Sequence, residues 1–321
     1  MKYYLAPMEG ITGYIYRNSY NKFFNNIDKY FAPFIVPNES RSLKTKELRD
    51  ILPENNIGMN LVPQILTNNS KGFIITARKL QKLGYNEVNL NLGCPSGTVV
   101  SKNRGSGFLA KREELDKFLD EVFKIDDMKI SIKTRIGKDN PEEFYELIKI
   151  YNKYPIEELI IHPRTQKDFY GNKPNLEVFK YALLSSTNSV CYNGDIFTLD
   201  NYNELIKTFP EIKAVMLGRG ILANPGLINL IENNINLDKN VLKEFHDEIF
   251  NKYIEIFNEN RNAMFRMKEL WAYMIYIFSD NKKYAKKIKK AQKLIDYNEA
   301  VSSLFIEQEI IEGAGLFYNE N

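Results

Sequence analysis

The sequence predicts an α/β protein, a (β/α)₈ barrel of the TIM type followed by a C-terminal helical bundle. Eight short apolar runs alternate with amphipathic segments of helical spacing. Several runs are continuously apolar, as expected of parallel strands that are buried on both faces. Polar residues follow most of the runs at their C-terminal ends, where barrel enzymes carry their active sites. The 321 residues fit a barrel of roughly 250 residues with one small appended domain.

The eight runs have the length of buried strands. They cover residues 3–6, 30–36, 59–66, 87–92, 129–134, 158–162, 189–192 and 214–217. Between the third and fourth runs, Phe73, Ala77 and Leu80 recur at the spacing of one helix face, and Gly84 follows as a stop signal. An open, doubly wound sheet is the alternative, because the number of strands read from one sequence is uncertain by one or two.

The composition excludes several classes of protein. Hydrophobic residues make up 44% of the chain and charged residues 26%, so the chain can bury a core and is not a disordered protein. No apolar stretch approaches the roughly 18 residues of a membrane span. Two cysteines far apart in the sequence do not form a disulfide framework. We therefore expect a cytoplasmic protein with no membrane association, and we expect a monomer without a metal site.

Cys94 is a candidate catalytic residue because it follows an apolar run at the point where strand becomes loop. Gly93 is a permissive residue before the thiol and Pro95 fixes the backbone after it, so the thiol lies on a stiff corner. The alternative is that the thiol only fills core space, as buried cysteines often do. We interpret Cys191, which lies inside an apolar run, in this second way.

Polar residues after seven of the runs would converge on one mouth of a barrel. They are Met8 after Pro7, Gln64, Asn91, Cys94, Lys133, Arg135, His162, Arg164, Asn193, Gly194, Asp195, Gly218, Arg219 and Gly220. The sequences NGD at 193–195 and GRG at 218–220 combine tight turns, exposed backbone N–H groups and a cation. Together these two motifs predict a phosphorylated cofactor.

Beyond residue 226 the apolar runs stop, and the polar stretch 232–240 is typical of a linker. Two apolar stripes at helical spacing follow, formed by Phe245, Ile249, Tyr253 and Ile256 and by Leu270, Met274, Ile277 and Phe278. Residues 261–293 contain ten basic and two acidic residues, so this part carries +8 and the remainder −5 of the net +3. Lysines cover one face of 282–293, with Ala285, Ile288, Ala291 and Ile295 opposite. A solvated helix face is the ordinary interpretation, but this density favours contact with nucleic-acid phosphates.

Seven motifs in order resemble the tRNA-dihydrouridine synthases. They are LAPMEGIT at 5–12, PQIL at 63–66, NLNLGCPS at 89–96 with GSG at 105–107, KTRIG at 133–137, HPRT at 162–165 with YG at 170–171, NGDI at 193–196 and GRG at 218–220. MKELWAY at 267–273 resembles the family's basic-aromatic helix more loosely. The resemblance implies an FMN-binding barrel over 1–235 and a helical RNA-binding domain over 236–321. It also implies reduction of the C5–C6 double bond of a uridine in folded RNA by NADPH.

The resemblance also implies roles for individual residues. Cys94 would be the general acid, and Asn91, Arg135 and Tyr170 would position the uracil. The cofactor-binding residues would be Pro7, Met8, Gln64, Lys133, His162, Asn193, Gly194, Asp195, Gly218 and Arg219. The density of basic residues in the C-terminal part, rather than the resemblance, indicates the RNA-binding residues, which would be Arg261, Arg266, Lys268, Lys283, Lys287 and Lys290. We expect His246 to be structural or at the surface.

The residue types agree with this chemistry. A thiol with an ordinary pKa of about 8.5 is mostly protonated at neutral pH and can give a proton to C5 after a hydride reaches C6. One alternative is a flavin oxidoreductase of small molecules, which would not need a basic helical surface. Another is an RNA-binding protein that has lost catalysis, against which the cysteine, lysine and histidine positions argue. Transfer RNA or ribosomal RNA as substrate, NADPH or NADH as reductant, and the modified uridine stay open.

Overall fold

The structure, a computed structural model, describes residues 1–37, 43–257 and 260–316. The chain forms two compact units. The first comprises residues 1–7, 28–194 and 209–216, and the second comprises residues 8–27, 195–208 and 217 onward. The predicted domains, 1–235 and 236–321, are defined by the FMN and the RNA that they would bind, and this division stays a prediction.

The first unit is built around one parallel sheet. The described residues form nine strands: β1 (Lys2–Leu5), β2 (Lys29–Phe31), β3 (Leu61–Val62), β4 (Gln64–Ile65), β5 (Glu87–Leu92), β6 (Lys129–Gly137), β7 (Leu159–Thr165), β8 (Val190–Tyr192) and β9 (Ala214–Leu217). Their order is β3-β2-β1-β9-β8-β7-β6-β5-β4. Only Pro63 separates β3 from β4, which stand at the two ends of this order, so the sheet closes on itself.

Pro63 explains why eight predicted runs give nine strands. Proline has no N–H to donate, so it interrupts the third run, but its carbonyl still accepts a hydrogen bond from the N–H of Asn89 at 2.9 Å. Each of the other seven runs overlaps one strand. The predicted barrel of parallel strands is therefore confirmed, and the open sheet is not found.

The strands bury their side chains in a hydrophobic core, as their apolar composition predicts. One cluster consists of Tyr4, Ala6, Phe31, Val62, Ile160, Cys191, Ala214 and Met216. The thiol of Cys191 is fully buried, and this burial raises its pKa. Cys191 is therefore a core residue, as predicted.

Helices alternate with the strands and continue beyond them. In chain order they are α1 (Tyr14–Phe23), α2 (Thr45–Ile51), α3 (Ser70–Lys82), α4 (Gly97–Val100), α5 (Arg112–Val122), α6 (Phe144–Tyr151), α7 (Leu176–Ser185), α8 (Leu199–Thr208), α9 (Arg219–Ala223), α10 (Leu227–Asn233), α11 (Lys239–Phe257), α12 (Asn260–Met274), α13 (Lys282–Lys290) and α14 (Leu294–Glu307). Phe73, Ala77 and Leu80 form the buried face predicted for α3.

Within 1–37, 43–257 and 260–316, no helix is long and apolar enough to span a membrane. The same residues contain no group of three or more His, Cys, Asp or Glu side chains that could hold a metal ion.

A buried charged cluster lies where strands of the first unit begin. Lys29 opens β2 and makes ion pairs with Glu87 at 2.9 Å and with Glu158 at 3.6 Å. Tyr4 Oη donates a hydrogen bond to Glu158 Oε1 at 2.9 Å. Burial raises the pKa of Glu158, although the charge of Lys29 acts in the opposite direction. This end of a barrel normally serves stability rather than catalysis.

Tyr297 joins three helices of the second unit. Its hydroxyl oxygen accepts a hydrogen bond from Trp271 Nε1 at 2.9 Å and lies 2.7 Å from His246 Nε2. Because Asp247 accepts from His246 Nδ1 at 2.8 Å, the ring proton lies on Nδ1 and Nε2 accepts from Tyr297. Burial lowers the pKa of His246, so the ring is neutral and structural, which confirms one of the two roles expected for it.

The structure confirms the helical C-terminal part and corrects its details. The irregular segment between α10 and α11 covers only 234–238, because helices extend into both ends of the predicted linker. Helix α13 ends at Lys290 and buries Tyr284 and Ile288. Ile295, which we placed on the same apolar face, belongs to α14 and is 63% exposed.

Candidate active site

Cys94 lies in the loop that follows β5, is half-buried and is in no disulfide. The side-chain oxygen of Asn91 accepts hydrogen bonds from the backbone N–H of Gly93 at 3.0 Å and of Cys94 at 2.9 Å. The carbonyl of Cys94 accepts two more, from the N–H of Ser106 at 3.1 Å and from its hydroxyl at 2.8 Å. Four hydrogen bonds therefore hold the corner that the sequence predicts.

The GSG motif supplies a close backbone approach to this corner. Gly105 has a φ of +55°, and a β-carbon there would lie 2.8 Å from the carbonyl oxygen of Cys94. A β-carbon on Gly107 would lie 2.8 Å from the carbonyl oxygen of Val100. Any larger residue would push the 3₁₀ helix Gly105–Ala110 away from the cysteine loop.

A series of hydrogen-bonded amide side chains leads from the cysteine loop into the barrel. Asn91 Nδ2 donates to Gln64 Oε1 at 2.7 Å, and Gln64 Nε2 donates to Asn89 Oδ1 at 2.8 Å. Asn89 Nδ2 in turn donates to Ser131 Oγ at 3.0 Å. An amide nitrogen carries two hydrogens, so Asn91 still has one N–H beyond the one that it gives to Gln64.

Arg135 connects the cysteine loop to the loop after β7. Its guanidinium donates to the backbone carbonyls of Gly93 at 3.0 Å, Thr165 at 2.7 Å and Phe169 at 2.7 Å. The guanidinium carbon also lies 5.4 Å from the centre of the Tyr170 ring. Burial lowers the pKa of Arg135 from its usual high value. Three of its five N–H groups are thus already committed to the backbone.

His162 lies in β7 beside the same loop. Its Nε2 is 3.0 Å from Arg164 Nη1, and because a guanidinium can only donate, Nε2 accepts this bond. The ring centre of His162 lies 6.1 Å from that of Tyr170, whose side chain is 45% exposed. Asp168 accepts hydrogen bonds from the N–H and hydroxyl of Thr165, which fixes the start of the loop that carries Tyr170.

Lys133, on β6, is a half-buried cation. Burial lowers its pKa to about 8, and the nearby charge of Arg135 acts in the same direction. Within the described residues, no carboxylate forms an ion pair with its ammonium group. An anionic group bound near Lys133 would favour its protonated form.

The predicted phosphate residues fall in both units. In the first unit, Asn193 Nδ2 donates to the carbonyl of Met216 at 2.8 Å, and a β-carbon on Gly194 would lie 2.1 Å from Tyr192 Oη. In the second unit, Arg219 Nη2 donates to Asp195 Oδ1 at 2.7 Å. A β-carbon on Gly220 would lie 2.0 Å from the carbonyl oxygen of Ile196, so this turn requires glycine. Met8 and Gly218 lie in the second unit, and Pro7 lies in the first.

The predicted RNA-binding residues differ in their contacts. Arg266 donates to the carbonyl of Gly10 and to Glu269, and Lys268 donates to the carbonyl of Ala291. Lys283 lies 3.7 Å from Glu307. Lys290 is exposed, as is Arg261, and lines a shallow depression together with Ala285, Lys286, Lys289 and Gln292.

Comparisons with known proteins identify relatives of this chain. The family model of dihydrouridine synthase (Dus) matches residues 4–312. A probable tRNA-dihydrouridine synthase of Staphylococcus aureus (strain COL) is 27% identical over 265 residues, covering 78% of this chain and 77% of that protein. The tRNA-dihydrouridine synthase B of Pasteurella multocida (strain Pm70) is 26% identical over 258 residues, covering 80% and 76%. The old yellow enzyme from Trypanosoma cruzi matches with a TM-score of 0.53 at 10% identity, over 74% of this chain and 89% of that one, which supports the barrel fold.

Proposed function

Since the chain belongs to the dihydrouridine synthase family, we propose that it reduces the C5–C6 double bond of a uridine in tRNA. Reduced FMN, regenerated by NADPH, would supply the hydride to C6. The thiol of Cys94 would then give its proton to C5 and regain one from water. The observation that carries this assignment is the half-buried thiol of Cys94, which is in no disulfide and lies at the C-terminal end of β5 on a loop whose backbone four hydrogen bonds hold.

Asn91 and Arg135 serve this reaction by placing the thiol. Both contact the backbone of the cysteine loop, and Arg135 also holds the loop that carries Tyr170. The remaining N–H of Asn91 and the exposed ring of Tyr170 are the groups available to a uracil. Positioning to within a fraction of an ångström matters, because a 1 Å displacement can cost on the order of 100-fold in rate.

The first unit has a charge that suits an anionic cofactor. Lys133 would favour negative charge on a bound flavin, since no protein carboxylate neutralises it in the described residues. Gln64, His162, Asn193, Gly194 and Pro7 complete the proposed set in this unit. In the second unit, Arg219 is the proposed cation for a phosphate and is held by Asp195. Gly218 and Met8 are the other proposed members of the set in this unit. Each group fits the chemistry of FMN.

Two observations support tRNA as the substrate. Relatives of this chain are named tRNA-dihydrouridine synthases, and α13 carries an exposed basic surface formed by Lys286, Lys289 and Lys290. Exposed lysines bind phosphates without reading sequence, so this surface suits a folded polyanion. A uridine inside folded RNA must leave its stack to be reduced, which costs roughly a few kcal/mol. Phosphate contacts would offset this cost. Ribosomal RNA is the competing substrate to be tested.

The first test is the visible spectrum of the purified protein. We expect flavin absorption that bleaches with NADPH and recovers when unmodified tRNA is added, with one dihydrouridine formed per reoxidation. A protein that cannot be reconstituted with FMN would refute the cofactor assignment. Recovery with ribosomal RNA fragments but not with tRNA would replace the substrate.

Two cysteine variants test the proton donor. C94A should still be reduced by NADPH but should form dihydrouridine much more slowly, because the proton source at C5 is lost. C191A is the matched control, since that thiol is buried in the core. Equal rates for C94A and the wild type would show that Cys94 is not the acid.

A further inference from the structure

Phe265 is an exposed aromatic residue on α12 that the predicted RNA-binding set does not include. Its side chain is 42% exposed. The guanidinium carbon of Arg261 lies 5.6 Å from the ring centre, and the ammonium of Lys268 lies 5.2 Å from it. Single exposed apolar residues are common on protein surfaces. A ring with two cations beside it is less usual.

The contacts of Lys268 place this ring next to the basic helix. Lys268 donates to the carbonyl of Ala291, the residue that directly follows α13. Phe265 therefore lies close to the C-terminal end of a helix whose exposed lysines include Lys289 and Lys290. Cations and an accessible aromatic face are the two elements of single-strand recognition, because phosphates contact the cations and a base stacks on the ring.

We propose that Phe265 is a stacking platform for an unpaired base of the bound RNA, with Arg261 and the lysines of α13 contacting the adjacent phosphates. The inference rests on the proposed function, since it assumes that RNA is the substrate. The proposed stacking adds a contact between the protein and an RNA base, in addition to the contacts between cations and phosphates. The occupant is an unpaired base and not a duplex, because only an unstacked base offers its face to a side chain.

Binding of an unmodified tRNA transcript at several salt concentrations tests the proposal. F265A should weaken binding by roughly 5- to 150-fold at constant salt, the range for losing one base–aromatic stack. The slope of log Kd against log salt should not change, because no charge is removed. F265W should bind as tightly as the wild type. K289Q should instead lower the slope by about 0.7 to 0.9.

Two further variants separate stacking from general apolar contact. F265L keeps apolar area but has no aromatic face, so it should bind as weakly as F265A. I306A is the matched control, because Ile306 is an apolar residue that is 79% exposed on another helix of the same unit, α14. Binding by F265A within twofold of the wild type, or full binding by F265L, would overturn the proposal.

The proposed function and this inference fail in different ways. A wild-type protein that forms no dihydrouridine refutes the function, whatever Phe265 does. Normal dihydrouridine formation together with wild-type tRNA affinity in F265A refutes only the stacking platform. The melting temperature of each variant shows that α12 remains folded, which is expected because the ring is on its exposed face.

Discussion

The side-chain oxygen of Asn91 lies 2.9 Å from the backbone nitrogen of Cys94 and 3.0 Å from that of Gly93. One carbonyl oxygen thus accepts both N–H groups of the turn, which fixes the direction in which the thiol leaves the backbone. The same side chain donates to Gln64, so the turn is joined to the interior of the barrel. Asn91 therefore orients the proposed proton donor.

N91A should lower the rate of dihydrouridine formation by on the order of 10- to 100-fold, since the thiol loses its fixed position. The flavin content should stay the same. A single-turnover assay with NADPH-reduced protein measures the chemical step directly. N60A is the control, because Asn60 is exposed and its side chain donates to the backbone carbonyl of Asp28, away from the cysteine loop. A rate for N91A equal to that of N60A would contradict the positioning role.

Substitution of Gly105 tests the close approach to Cys94. G105A places a methyl group 2.8 Å from the carbonyl oxygen of Cys94, in addition to the strain of alanine at a φ of +55°. G84A has similar strain at a φ of +97° but meets nothing within 4 Å. Strain alone costs about 1 to 2 kcal/mol. We expect G105A to lose more unfolding free energy in urea than G84A and to lose activity. Equal losses would show that the loop shifts freely.

The sequence predicts the fold and the cysteine corner well because both are local in origin. Apolar runs define strands, and a glycine and a proline around Cys94 define a turn. What it does not reveal depends on contacts between distant residues. The hydroxyl of Ser106 donates to a carbonyl 12 residues away, and Arg135 donates to the carbonyls of Gly93 and Phe169 on two loops. Sequence patterns also cannot separate a buried from an exposed aromatic in a helix with apolar residues on several sides, as with Phe265.

The charged cluster at the base of the barrel predicts opposite effects for its members. K29M leaves Glu87 and Glu158 as two buried carboxylates without their paired cation, and removing one partner of a buried pair typically costs about 3 to 5 kcal/mol of unfolding free energy.

E158Q removes the second carboxylate and leaves one ion pair, Lys29 with Glu87. Because the pKa of Glu158 is raised, its ionisation lowers stability as pH rises above about 4.5. E158Q should therefore unfold at higher urea than the wild type at pH 7, with a smaller difference at pH 4. A lower midpoint for E158Q at pH 7 would contradict this.

Lys133 should lower the stability of the flavin-free protein, because its charged ammonium group is buried. Its pKa is lowered to about 8 by burial, so below that pH the charged ammonium is held in the folded protein at a cost. The unfolded chain binds more protons than the folded one between about pH 8 and 10.4, and the cost disappears as pH rises through that interval. K133M removes this free-energy cost at every pH.

The flavin-free K133M variant should thus have a higher urea midpoint than the wild type at pH 7, and the difference should shrink toward pH 10. FMN should bind more weakly to K133M, as measured by fluorescence titration, because the proposed cationic partner of the flavin is lost. A variant that is no more stable at pH 7, and that binds FMN normally, would mean that Lys133 is solvated and has no part in the site.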